Sequence, residues 1–238
     1  MSAAGSITEL WRYPVKSMAG ERVPALRVDW RGAAGDRTHG LHFEHKAALK
    51  RLTAREASGM LRWSASYGAA DPDPAEPPVA ALTAPDGRAF TWDDDELPAA
   101  LSADLGRDVV LRRDLEGQQD LGRSLLITTE ATRLALEAEL AEPVDLRRFR
   151  TNLHVELDAP AWAEAAWEGG TVELVGGVVL RLLHPCERCV IPTRHPDTTA
   201  RWPGLLKHLH ARHANGFGIN ARVETPGRIA AGERLRLV

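Results

Sequence analysis

The sequence predicts a strand-rich α+β fold, on three observations. Apolar and polar residues alternate over 7–11, 23–30 and several later short runs, the pattern of half-buried strands. Pro14, Gly20 and Gly32 punctuate the first of these runs as turns would. Four-residue helical spacing occurs only in brief stretches, enough for three or four short helices.

In chain order, strands are expected over 7–11 and 23–30, separated by the turn Tyr13-Pro14-Val15-Lys16-Ser17-Met18. Further strand-like runs cover 49–53, 60–66 and 89–92, so the first third reads as a small, mostly antiparallel sheet or barrel. The proline-rich run 71–78 is polar and reads as a surface loop rather than a linker, because 79–82 and 88–92 form a hairpin about Pro85-Asp86-Gly87. Leu97, Leu101 and Leu105 recur every fourth residue, and Gly106 follows as a C-cap. Strands at 109–112 and 124–128 precede a helix over 130–140, with Thr129 as its N-cap and Pro143 beyond its end.

The basic segment 146–152 enters a strand at 153–157, and Trp162 and Trp167 flank a short helical turn. A hairpin, 171–175 with 178–183 about Gly176-Gly177, leads into Cys186. A short helix over 203–213, a strand from 216, turns at Gly227 and Gly232, and a last strand over 234–238 complete the chain. His208, His210 and His213 read as residues of a helix surface rather than metal ligands.

Composition bounds function only loosely. The chain has 238 residues, 44% of them hydrophobic, enough for one large domain or two small ones. A net charge of -3 gives no general reason to expect nucleic acid or a membrane surface as partner, so an anion site must be local. The first residues run straight into a strand pattern without an apolar signal region, no apolar run of membrane-spanning length occurs, and the expected location is the cytoplasm.

Both cysteines fall in one stretch, Cys186-Glu187-Arg188-Cys189. Four chemistries suit such a pair. A zinc site needs two further ligands, for which His184 and His195 are near in sequence, but a second ligand pair at knuckle-like spacing is missing. A thioredoxin-like dithiol needs a helix N-terminus, which Pro192 disfavours. Two buried thiols acting as small hydrophobes fit poorly around Glu187-Arg188. The fourth reading makes one thiolate a ligand to a soft metal carried by a phosphate-bearing cofactor. Anion-binding candidates for it are Lys16 with Ser17, Arg37, and Arg150 with Asn152, all in turns at strand ends.

Five stretches occur in the order of a known family: Tyr13-Pro14-Val15-Lys16-Ser17, Gly35-Asp36-Arg37, Arg148-Phe149-Arg150-Thr151-Asn152, Cys186-Glu187-Arg188-Cys189 with Pro196-Asp197-Thr198, and Gly227-Arg228-Ile229-Ala230-Ala231-Gly232-Glu233. The chain resembles the MOSC family, named for the C-terminal domain of molybdenum cofactor sulfurases, and especially its two-part members, which include the amidoxime-reducing components. The resemblance implies an N-terminal MOSC β-barrel region over 1–115, a MOSC β-barrel domain over 116–238, and a molybdenum-pyranopterin cofactor between them. It further implies Cys189 as catalytic thiolate ligand of molybdenum with Arg188 beside the cofactor, and Lys16, Ser17, Arg37, Arg150 and Asn152 around the pterin and its phosphate. Thr129 matches a cofactor-contacting hydroxyl. Arg194-His195 and Thr199 depart from the residues usual near the substrate entrance.

The activity so implied is reduction of small N-hydroxylated compounds, such as amidoximes and hydroxylamines, with His184 or His195 as proton donor. The two cysteines cannot hold an iron-sulfur cluster, and neither a CxxCH haem motif nor a GxGxxG fingerprint occurs. Electrons are therefore expected from a separate ferredoxin, flavoprotein or small haem protein. The alternatives are a sulfur-carrying module, with a persulfide on Cys189 resolved by Cys186, and a barrel without metal.

Overall fold

The computed structural model describes residues 3–68, 72–115 and 124–238. Met1 and Ser2 at the start, Asp71 of the proline-rich run and the expected boundary at residue 116 lie outside the described residues.

Strand β1 (Ala3–Arg12) buries Ile7 and Leu10. Gly5 is required within it, because a Cβ there would run into the backbone carbonyl of Glu156 on a neighbouring strand. Pro24 separates β2 (Glu21–Val23) from β3 (Ala25–Asp29), and β4 (Gly32–Ala33) folds back on β3. Strands β5 (His39–His45) and β6 (Ala48–Leu52) form a hairpin whose corner residues, Lys46 and Ala47, both have positive φ, matching the twist of a tight hairpin. Strand β5 was not among the expected strands, although Leu41 and Phe43 alternate with His42 and Glu44.

A 3-10 turn (Ser58–Arg62) takes the first part of the strand expected over 60–66, leaving β7 (Ser64–Ser66). Met60 and Leu61 bury themselves at helical rather than alternating spacing. The hairpin of β8 (Ala81–Thr83) and β9 (Ala89–Thr91) forms as expected, as does α1 (Leu97–Leu105), capped by Gly106 in the left-handed conformation. With β10 (Val110–Arg113) these strands make two three-stranded antiparallel sheets, β10-β5-β6 and β7-β8-β9. Met60, Trp63, Leu82, Phe90 and Leu101 fill the core they share.

The second core lies inside a closed barrel. Strand β11 (Leu125–Thr129) leads into α2 (Glu130–Leu140), where the Thr129 hydroxyl accepts the Thr132 N–H at 3.2 Å as N-cap. Then follow β12 (Leu153–Leu157), β13 (Thr171–Leu174), β14 (Val179–Glu187), α3 (Pro203–Arg212), β15 (Gly216–Thr225), β16 (Gly227–Ala230) and β17 (Arg234–Leu237). Seven strands form the ring β1-β12-β11-β15-β14-β13-β17, which closes on β1. Closure leaves no barrel edge to protect, and Ile7, Leu153, Leu180, Ile219 and Leu235 pack within.

The chain's two halves are interleaved. The first strand completes the C-terminal barrel, while β16, read from sequence as a turn, pairs with β3 and buries Ile229. A third cluster, with Leu136, Phe149, Leu205, Leu209 and Phe217, joins the two C-terminal helices to the barrel wall.

Candidate functional site

The turn after β1, the turn before β5, the 3-10 turn (Leu146–Phe149) before β12, and the loop after β14 converge on one cleft of about 450 Å³. Six cations line it, Lys16, Arg37, Arg55, Arg148, Arg150 and Arg188, against the single carboxylate of Glu187. In a chain of net charge -3 this is a strongly local positive field.

Three of the lining residues stand in the left-handed backbone region: Ser17 (φ 69°), Arg37 (φ 53°) and Arg150 (φ 56°). Each such residue costs on the order of 1 kcal/mol, so the fold holds these side chains in place against their backbone preference. Arg150 does so as the cap of the 3-10 turn, the point at which the chain swings into β12.

Tyr13, which does not line this cleft, packs against two of its arginines. It is 2% exposed, and the Arg37 and Arg150 guanidinium carbons lie 5.0 and 4.2 Å from its ring centroid. Asp36 pairs with Arg37 and accepts the Tyr13 N–H at 2.7 Å, while Arg37 donates to the Arg150 carbonyl at 3.2 Å. Arg150 in turn donates to the Met18 carbonyl at 2.6 Å. Burial pushes the Tyr13 phenol well above its ordinary range, although Arg150 and Arg37 oppose this, so it stays neutral.

On the opposite wall, Arg188 donates to the Phe149 carbonyl at 2.7 Å and to Cys186 Sγ at 2.9 Å. Its peptide is held from behind by Asn215, whose carbonyl accepts the Arg188 N–H at 2.8 Å and whose amide donates to the Arg188 carbonyl at 2.7 Å. Arg148 reaches the Pro192 carbonyl at 3.1 Å, and burial lowers its pKa from the ordinary value. Cys186 and Cys189 are both half-buried and both line the cleft.

Of the eight residues expected at the site, seven line this cleft: Lys16, Ser17, Arg37, Arg150, Asn152, Arg188 and Cys189. Thr129 does not; it is buried, with its hydroxyl engaged in capping α2. The polar atoms of the Asn152 side chain are committed to the barrel, accepting from Leu126 N–H at 3.1 Å and donating to the Trp11 carbonyl at 3.2 Å. Neither His184 nor His195 lines the cleft. Arg55, Arg148 and Tyr13 were not singled out from sequence as site residues. Arg148 was visible as part of the basic knot at 147–150, whereas nothing local marked Arg55.

A phosphate-bearing cofactor fits these residues on one specific ground. The Nε atoms of Arg148 and Arg188 are buried in the cleft wall and meet no partner among the described residues. Buried unpaired donors on cations are costly, and an anionic ligand is the partner that satisfies them. A second cavity of about 210 Å³ shares Arg148, Arg150 and Ile191 with the cleft and is walled by Trp11, Tyr13 and Arg194.

Fold and cleft together define a barrel protein with an arginine-rich cleft lined by two thiols. Comparison with known families is more specific. The MOSC domain model matches residues 114–236 and the MOSC N-terminal beta barrel domain model matches residues 4–93, so the chain belongs to the MOSC family in its two-part arrangement. MOSC domains are associated in general with molybdenum cofactor binding. No curated protein matches the chain. The crystal structure of the YUAD protein from Bacillus subtilis is similar over 100% of this chain and 97% of that one, at 17% identity and TM-score 0.54. YiiM from Geobacillus stearothermophilus overlaps over 48% of this chain and 53% of that one, at 18% identity and TM-score 0.38.

Proposed function

We propose that the protein is a cytoplasmic molybdenum-cofactor-dependent reductase of small N-hydroxylated compounds, supplied with electrons by a separate ferredoxin, flavoprotein or small haem protein. One observation carries the reading: cations far apart in sequence meet Cys189 in a single cleft. Lys16, Arg37 and Arg150 would hold the cofactor's phosphate, and Cys189 would supply the thiolate to its metal. When bound, the group would supply the two-electron redox couple that N–O reduction requires.

The chain's own residues orient and select. Arg188, fixed at both ends by Phe149 and Asn215, keeps the Cys189 loop in place. The smaller cavity beside the cleft would receive the substrate, with Trp11 on its wall offering planar contact. Its arginines favour neutral or anionic substrates, such as amidoximes, hydroxylamines and N-hydroxylated base analogues, over cations. With no histidine on the cleft wall among the described residues, water in the open cleft would serve as proton source.

A second reading, a sulfur-carrying module with a persulfide on Cys189, is favoured by the presence of both thiols at one cleft. Molybdenum and pterin analysis of protein made in a host competent for cofactor synthesis separates the two. The reductase reading expects close to one molybdenum per chain, lost in Cys189→Ser, and amidoxime reduction with an artificial electron donor. Protein free of molybdenum from such a host overturns it, and a persulfide trapped on Cys189 supports the second.

A further inference from the structure

We propose that Glu139, His208 and His213 form a binding site for a divalent transition metal of the zinc type, outside the cleft. Among the described residues this is the one group of three His, Cys, Asp or Glu whose ligand atoms lie within 4.8 Å of one another. The two imidazoles come from α3 and the residue just past its end, the carboxylate from the last turn of α2.

The geometry is convergent. His208 Nε2 lies 2.6 Å and His213 Nε2 2.7 Å from the same oxygen, Oε2 of Glu139. The other oxygen, Oε1, accepts the Trp162 indole N–H at 3.1 Å, which orients the carboxylate as second-layer partners of metal ligands do. Trp162 also stacks on the His213 ring, centroids 3.4 Å apart and planes 11° apart, so that this imidazole cannot turn away. The three side chains are partly exposed, at 21%, 14% and 27%, which leaves room for water as a further ligand.

Glu139 also stands where a bare carboxylate is unwelcome. The C-terminal end of a helix carries partial negative charge, and a cation there relieves both the dipole and the acid. Two imidazoles and one carboxylate are the donor set of zinc and its neighbours rather than of calcium or magnesium, which prefer oxygen. Metal bonds of about 2.1 Å in tetrahedral arrangement set ligand atoms about 3.4 Å apart, so the partly exposed Glu139 need draw back only by roughly 0.8 Å. From sequence the histidines read as a helix surface, and His213 stands five positions after His208, out of step with the helical repeat. The chain leaves the helix at His213, and this turns its ring back onto the same face.

A metal here would tie α2 to α3. It would also steady the turn from His213 to Asn215, whose last residue holds Arg188 in the cleft wall.

The test uses the full chain with Cys186→Ser and Cys189→Ser, so that no thiolate competes, freed of metal by a chelator that is then removed. Zinc is titrated by calorimetry and cobalt by visible absorption at pH 7.5. One equivalent should bind saturably, His208→Ala and Glu139→Gln should each weaken binding at least tenfold, and His210→Ala, on the same helix, should leave it unchanged. Circular dichroism verifies that each variant is folded. Absence of saturable binding overturns the proposal, as does binding that survives in both His208→Ala and Glu139→Gln. The outcome is independent of whether the cleft holds molybdenum.

Discussion

Arg188 is hydrogen-bonded to Cys186, its Nη1 lying 2.9 Å from the sulfur, although in sequence it adjoins Cys189. The same guanidinium grips the Phe149 carbonyl at 2.7 Å, so one side chain ties the thiol loop to the barrel entrance. Arg188→Ala removes both bonds and, on the proposed cofactor-binding function, should lower molybdenum per chain about tenfold, in line with a charge-assisted hydrogen bond of roughly 1.5 kcal/mol or more. Cys186→Ser keeps the Phe149 anchor and should lower it less than about threefold. Metal analysis of protein from one expression host checks both.

Tyr13 couples two cations. Because Arg37 and Arg150 share its ring, Tyr13→Leu should weaken pyrophosphate binding by roughly three- to tenfold, whereas Tyr13→Phe should leave it nearly unchanged. A double-mutant cycle between Arg37→Ala and Arg150→Ala should give a coupling above about 0.5 kcal/mol by calorimetry, and additive losses would count against the shared-ring geometry.

Asn152 staples three strands. Its side chain serves Leu126 of β11 and Trp11 of β1 from the start of β12, at 0% exposure. Asn152→Ala strands the buried Leu126 N–H and the part-buried Trp11 carbonyl, so urea unfolding should show a loss of about 1–3 kcal/mol with an unchanged slope.

His39 makes stability depend on mild acid. Burial, aided by nearby Arg113, lowers its pKa from the ordinary 6.5 to about 4. The folded state thus prefers the neutral ring, and the unfolded chain protonates first as pH falls. Stability is full above pH 6.5 and is lost between there and about pH 4, by on the order of 3 kcal/mol. Thermal melts at pH 7 and pH 4.5 should show the drop, and His39→Gln should flatten it.

Legibility followed the range of the interactions. The helices α1 and α2 were readable because Gly106 and Thr129 act within a turn of themselves. Barrel closure was not, since β1 finds β12 about 145 residues away and no local pattern announces the partner. The cleft cations were marked by basic turns at strand ends, and the order of those turns identified the family. The pairing of Arg188 with Cys186 depends on a strand irregularity near Pro185 that sequence spacing does not show.

Register at the barrel seam bears on biosynthesis. Ala3 pairs with Leu237 and Ser6 with Arg234, so β1 must wait for a strand more than 200 residues further along the chain. The ring cannot shut until β17 has been made, and until then the Ala3–Ser6 edge of β1 lacks this partner and is open to wrong ones. Folding should therefore be slow and exposed to aggregation until this long-range pairing forms.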